Sequence, residues 1–294
     1  MVYAFGEILW DIFGDTRSIG GAPFNFAAHF ASLGGAAALI SAVGEDLLGD
    51  EALRAMRSFG VSERLVQRIA ERPTGTCAVT LDGGGVPQYR LASETAFDAI
   101  GYTDALRAAL ACPQGDVLYF GTLAQRDETS RSTLRAIAAR PFRERFCDLN
   151  LRPPFLDEEV ILHACGNATI LKLSLEECEH LRAIGLLGSL APERICDALC
   201  ARFPNIRLLL LTLGKDGAML CSPETGPLWS IRPESKAVST VGAGDSFAAC
   251  FLYNYLAGHS LQKCLNRGVL LSDYVVTQTG AVPSYPAALR ACVR

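Results

Sequence analysis

The stretch STVGAGDSF, residues 239–247, sets Gly242 and Gly244 around a lone carboxylate, Asp245, directly ahead of a run of helical length with no charged residue. The first amides of a helix lack intrahelical partners and point outward, so they accept an anion, and small side chains let it approach closely. A phosphate fits such a cradle. The helix dipole favours an ionised Asp245 by about 0.3 to 1 kcal/mol at an exposed site. For binding alone that choice is odd, because the two anions repel. It makes sense for a base that takes a proton from a hydroxyl as the oxygen attacks a γ-phosphoryl group, a role worth about 10² to 10⁴ in rate. The plainer reading is an acid in a helix first turn after a glycine turn, and these letters alone do not separate the two. The stretch is not a P-loop, since Gly214 and Lys215 lack the upstream glycine and the following hydroxyl. Nor is it a dinucleotide fingerprint, since G-x-G-x-x-G fails at Phe247.

The elements that must hold this turn follow a regular rhythm. Apolar strand-like runs, DVLYFG, ERFCDLN, NATILKLS and NIRLLLLTLG, alternate with segments of helical length, which predicts α/β architecture: a doubly wound, mainly parallel sheet with helices on both faces. In GDEALRAMRSFGV, Leu53, Met56 and Phe59 share a helix face that Gly60 ends. One region breaks the rhythm. TGTCAVTLDGGGVPQYRLA alternates Cys77, Val79 and Leu81 against Thr76, Ala78 and Thr80, turns at Asp82–Gly85 and resumes as an extended segment. With the end of the first strand near Trp10–Phe13 it predicts a small β-sheet lid. The division is an α/β unit of residues 1–10, 23–72 and 99–294 and a lid of residues 11–22 and 73–98.

Bulk properties narrow the partners. The chain has 294 residues, half of them hydrophobic and a fifth charged, with a formal net charge of -4. That describes a globular chain with a sizeable core, and without a basic stripe it speaks against nucleic acid. Eleven cysteines without a C-x-x-C pair read as reduced buried thiols. Glu7 and Asp11 interrupt any signal peptide at the start, so a cytoplasmic address is expected. The uncharged stretch Ser18–Gly44 reaches membrane-spanning length, but Pro23, Asn25, His29 and several glycines split it into a helix and a strand, so no membrane partner is expected.

Other segments match a known family in the right order. GGAPFNFAAHFASLGG, VGEDLLG, DLNLRPP, LKLSLEECEHL, TLGKDGA, STVGAGDSF and TGAVPSYP together resemble the ribokinase-like (PfkB-type) carbohydrate kinases over nearly the whole chain. GGAP followed by Asn25 is most similar to the fructokinase branch. The resemblance implies a kinase that uses ATP and Mg2+ to phosphorylate a primary hydroxyl of a small sugar, fructose first, with other ketoses, aldoses and nucleosides as alternative acceptors. A non-catalytic sugar or nucleotide sensor on the same scaffold is the reading from another class.

Carried over residue by residue, the resemblance makes Asp245 the base and Gly242, Ala243 and Gly244 the anion hole. Asp11, Gly20, Gly21, Asn25 and Arg90 go to the sugar. Arg152 goes to substrate or phosphate, Lys172, Thr212, Gly214 and Gly217 to the nucleotide, and Glu177 to the metal through water. Each has a plainer explanation. Asn25 and Asp11 could be a helix-start residue and a solvated strand end. Ser174 and Glu177 form S-x-x-E, a capping box. Arg152 could pair with Asp157 or Glu158, and Arg90 could be a solvated rim residue. The chain departs from the family at Ser174, where Asn is usual. It also departs at Ser239 and Val241, where many members carry Asp and a hydroxyl residue, which speaks against monovalent-cation activation. The lid offers an edge through which a homodimer could pair.

Overall fold

Leu208–Thr212 shows in miniature how the sheet divides the molecule. Leu209 and Leu211 pack into one apolar layer and Leu208 and Leu210 into the other, because successive strand residues point to opposite faces. The same split recurs at Tyr3 and Phe5 against Val2 and Ala4.

The protein is described from a computed structural model over residues 1–81, 87–188 and 191–294. In chain order its strands are β1 (Val2–Phe5), β2 (Leu9–Phe13), β3 (Thr16–Gly20), β4 (Ala37–Gly44), β5 (Ser62–Ile69), β6 (Gly75–Leu81), β7 (Pro87–Leu91), β8 (Val117–Phe120), β9 (Glu144–Asp148), β10 (Ile170–Ser174), β11 (Leu208–Thr212), β12 (Ala218–Ser222) and β13 (Thr225–Ser230). The helices are α1 (Ala22–Ser32), α2 (Leu47–Ser58), α3 (Asp104–Ala109), α4 (Glu128–Ala138), α5 (Glu158–Asn167), α6 (Leu175–Ala183), α7 (Pro192–Arg202), α8 (Ala243–Leu256), α9 (Leu261–Val276) and α10 (Ala287–Val293).

A 9-stranded sheet runs in the order β13-β12-β11-β10-β9-β8-β1-β4-β5, and its pairs are parallel except at β12 and β13. Helices α4 to α7 bury Leu134, Ile161, Leu181 and Leu199 on one face. On the other, α1, α2, α8 and α9 bury Phe26, Met56, Phe251 and Leu265. The expected doubly wound architecture is thus present, and strand order reverses at β1, where β4 lies on one side and β8 on the other. In such sheets ligands bind beyond the carboxyl ends of the strands near that reversal.

The second sheet has four strands in the order β3-β2-β6-β7, with β6 and β7 antiparallel as the sequence predicts. The turn expected at Asp82–Gly85 lies outside the described residues. One expectation is corrected: the first strand does not run on to Phe13. It stops at Phe5, because Gly6 takes φ 140 and a side chain there would meet the Pro23 ring. The chain then enters the small sheet as β2, so Asp11 lies within a strand of that sheet, paired with Ser18 and Cys77.

Candidate active site

The start of α8 is built around two glycines with different tasks. Gly242 caps the helix at φ 81, and a Cβ there would overlap the carbonyl of Ala281. Gly244 is helical, and a Cβ on it would lie 3.2 Å from Lys172 Nζ. The turn is therefore packed between Ala281 on one side and an ammonium on the other, and only hydrogen fits at the capping position. Asp245 follows in the first turn and is buried. Its Oδ2 accepts a 2.9 Å hydrogen bond from Asn25 Nδ2, donated by α1 across 220 residues of sequence. Burial, reinforced by the nearby Asp148 charge, pushes the Asp245 carboxyl up to about 7, against the opposing pull of Asn25, Lys172 and Arg152. A solvated helix cap would have none of this. The other end of the Asn25 amide, Oδ1, is buried and, among the described residues, has no hydrogen-bond partner.

Beneath the turn lie the carboxyl ends of β9 and β10. Lys172 Nζ donates to both oxygens of Asp148 at 2.9 and 2.8 Å, and Tyr119 donates its hydroxyl to Asp148 Oδ2 at 3.2 Å. Burial works against the Lys172 ammonium, but the Asp148 and Glu177 charges outweigh it and hold its pKa above the usual lysine value. Glu177 closes the capping box: Ser174 Oγ accepts from the Glu177 amide at 3.2 Å, and Glu177 Oε2 accepts from the Ser174 amide at 2.7 Å. Its Oε1 accepts from Leu151 N at 2.7 Å. Burial, then repulsion from Asp148, raises the Glu177 pKa.

Two cavities meet at this point. The first, about 470 Å³, is walled by Asp11 and Cys77 of the small sheet, by Asn25 of α1, by Arg152 beyond β9 and by Gly242 and Asp245 at the start of α8. The second, about 560 Å³, is walled by Thr212, Gly214, Gly217 and Ala243, with Phe247 and Val276 supplying an apolar side. Ser174, Glu176, Thr212, Thr240 and Gly244 border both. The glycine turn stands at the junction, where a group passing from one cavity to the other would cross it.

Most residues singled out in the sequence converge here. Arg152 is exposed at the first cavity and, among the described residues, pairs with neither Asp157 nor Glu158. Asp157 instead caps α5 and pairs with Arg131 at 3.0 Å. Burial raises the Asp11 pKa, against Arg152 and the Cys77 thiol. Gly20 makes room for Asp11, whose Oδ2 lies 2.5 Å from where a Cβ would sit. Gly21 takes φ 106 with its missing Cβ against the Glu7 carbonyl. Arg90 is exposed on β7 and, among the described residues, borders neither cavity.

Sequence reasoning passed over Asp148, Glu7 and Cys77. Asp148 could have been found as the last residue of a parallel strand, where α/β sheets carry their sites. Glu7 is buried, with its Oε1 accepting from Ala22 N at 3.2 Å at the start of α1, and burial raises its pKa. Nothing in its local sequence signals that. As for a metal, no group of three or more His, Cys, Asp or Glu is arranged to chelate one among the described residues. Asp148 is taken up by Lys172, and each Glu177 oxygen already accepts one amide. Such partly occupied carboxylates suit a hydrated cation carried by phosphates rather than a protein cage.

The sequence matches the pfkB family carbohydrate kinase profile over residues 6–288. It is 28% identical over 316 residues to Fructokinase-1 of Oryza sativa subsp. japonica, covering 97% of this chain and 94% of that protein. Among solved structures it resembles the fructokinase of Vibrio cholerae O395 in its fructose, ADP and calcium ion bound form. The TM-score is 0.81 at 25% identity, over 100% of this chain and 98% of that one. It also resembles the aminoimidazole riboside kinase of Salmonella enterica complexed with aminoimidazole riboside and an ATP analog, with TM-score 0.80 at 22% identity over 100% and 99% of the chains.

Proposed function

The chain belongs to the pfkB family of carbohydrate kinases and is a sugar phosphotransferase, and from that premise we propose that it transfers the γ-phosphoryl group of ATP to a primary hydroxyl of fructose. The single observation that carries this reading is Asp245: a buried carboxyl with a pKa of about 7, in the first turn of α8, at the meeting of two cavities.

In this reading the sugar occupies the first cavity. Asp11 accepts from its hydroxyls, the unpartnered Asn25 Oδ1 accepts from another, and Arg152 donates from the rim. The nucleotide lies in the second cavity along Thr212, Gly214 and Gly217, with its base against Phe247 and Val276. Its terminal phosphoryl meets the amides of Gly242 and Gly244, with the Lys172 ammonium behind them, and the Ala243 amide, which donates to the Thr240 carbonyl at 3.2 Å, joins them when that bond gives way. Asp245 takes the proton of the attacking hydroxyl. A bond forms between that oxygen and phosphorus, the bond to the bridging β-oxygen breaks, and ADP leaves. Glu177, at the edge of the first cavity, would face through water a magnesium ion held by the nucleotide, which when bound would neutralise phosphate charge. Closure of the small sheet excludes water that would otherwise compete as acceptor.

The test is coupled ADP release across a panel of ketoses, aldoses and nucleosides, run with wild type and Asp245→Asn. Fructose should give the highest kcat/KM. The nearly isosteric variant should lose about 10² to 10⁴ in kcat while still binding nucleotide. Wild-type turnover in Asp245→Asn removes the base assignment, and preference for another acceptor removes fructose.

A further inference from the structure

Helix α1 reaches the site at two levels. Asn25 holds Asp245, and one turn further on, on the same face, His29 is fully buried and reaches the segment behind the glycine turn. Its Nε2 lies 2.9 Å from the carbonyl of Ala281, and its Nδ1 makes a short hydrogen bond with the hydroxyl of Tyr285. A carbonyl oxygen only accepts, so Nε2 carries the hydrogen. Nδ1 is then the bare acceptor to which Tyr285 donates. Burial drives the His29 pKa down to about 3, so the ring is neutral and this tautomer is fixed. The Ala281 peptide that His29 grips is the one that fills the space beside Gly242, and it follows Gly280 at φ 83.

We propose that His29 is a positioning residue for the anion-binding turn: through the Ala281 carbonyl it fixes the backbone on which Gly242 rests, so one helix sets both the base and the amides that face the phosphoryl group. An apolar side chain would fill the same volume without a directional bond, and a buried imidazole is worth its desolvation only if both nitrogens are used. Here both are. The proposal rests on the kinase reading above for its kinetic consequence and on packing alone for its structural one.

Three variants test it: His29→Leu, which keeps volume and loses both bonds, His29→Gln, which keeps an N–H donor at similar reach, and Tyr285→Phe, which removes one oxygen. Since an anion hole acts in the transition state, His29→Leu should lower kcat about 10- to 100-fold while leaving the sugar KM within about twofold. His29→Gln should recover most of that loss, and Tyr285→Phe should lose about threefold. Amide hydrogen exchange gives a readout free of catalysis. Residues 240–247 should exchange about tenfold faster in His29→Leu and return toward wild type in His29→Gln, with β8 and β9 unchanged in both. Exchange at 240–247 that stays at the wild-type rate in His29→Leu overturns the proposal, as does a kcat loss that His29→Gln fails to recover. If His29→Leu does not fold, faster exchange at 240–247 in Tyr285→Phe supports the proposal, and an unchanged rate there overturns it. Failure of the wild type to phosphorylate any sugar would overturn the kinase reading instead, with the exchange result still deciding this one.

Discussion

At the scale of single residues, the feature that fits Asp245 for proton transfer also weakens the fold. A base acts only when ionised, so kcat/KM should rise with pH through about 7, where the buried carboxyl loses its proton. The folded state holds that proton more tightly than the unfolded chain, whose carboxyl titrates near 3.8. Stability is therefore full below the unfolded value and is lost as pH rises toward the folded one. A displacement of about three pH units at about 1.4 kcal/mol each comes to roughly 4 kcal/mol above neutrality. Asp245→Asn escapes this cost. Thermal melts from pH 4 to 8 should show the variant gaining on wild type as pH rises, with the gap levelling off above about 7. An equal gap at every pH would mean that the carboxyl is not held protonated by its surroundings.

At the scale of elements, the start of α8 separates two glycines by what surrounds them. Gly242→Ala forces a left-handed backbone at about 1 to 2 kcal/mol and drives its methyl into the Ala281 carbonyl, so both melting temperature and kcat should fall. Gly244→Ala is helical, and its methyl meets only the movable end of Lys172 at 3.2 Å, so the fold should survive and the rate should not. Melting curves and ADP release on the two proteins read the contrast directly. This turn was legible only in company: its own letters fit a plain helix start equally well, and the ordered matches elsewhere in the chain, from GGAPFN to TGAVPSYP, gave it its meaning. The parallel strands β8 to β11 were legible too, since strands buried on both faces read as continuous apolar runs. Less legible were β5, with Glu63, Arg64 and Arg68 on a sheet edge, and the β12–β13 hairpin, whose outer strand is mostly exposed. Asn25 stood out by its resemblance, but its bond to Asp245 spans 220 residues and no local pattern encodes it. Glu7 and Asp148 came to line one cavity only when the strands lined up.

At the scale of the whole molecule, the first cavity takes its walls from the small sheet, at Asp11 and Cys77, and from the helices and loops around the large one, at Asn25, Arg152 and Asp245. A sugar bound there, as proposed, would bridge them. The chain passes between the sheets after Phe5, after Gly20, before Gly75 and after Leu91. The first two passages carry Gly6 at φ 140 and Gly21 at φ 106. The other two are pinned to the large unit: Asp46 accepts from the Thr74 amide at 2.8 Å, and Arg126 Nη2 donates to the Ala92 carbonyl at 2.6 Å. With two ends pinned and two passing through glycines, the proposed sugar contact at Asp11 would draw the small sheet inward about the Thr74 and Ala92 side. Fructose should then slow amide exchange in residues 9–20 and 75–80, far more than a non-hydrolysable ATP analogue does alone. Asp11→Ala should abolish that protection while leaving nucleotide protection around residues 212–217 intact, because the two ligands contact different walls. Protection by fructose confined to α1 and α8 would mean that the small sheet is a fixed wall, and exclusion of water would then have to come from the sugar itself.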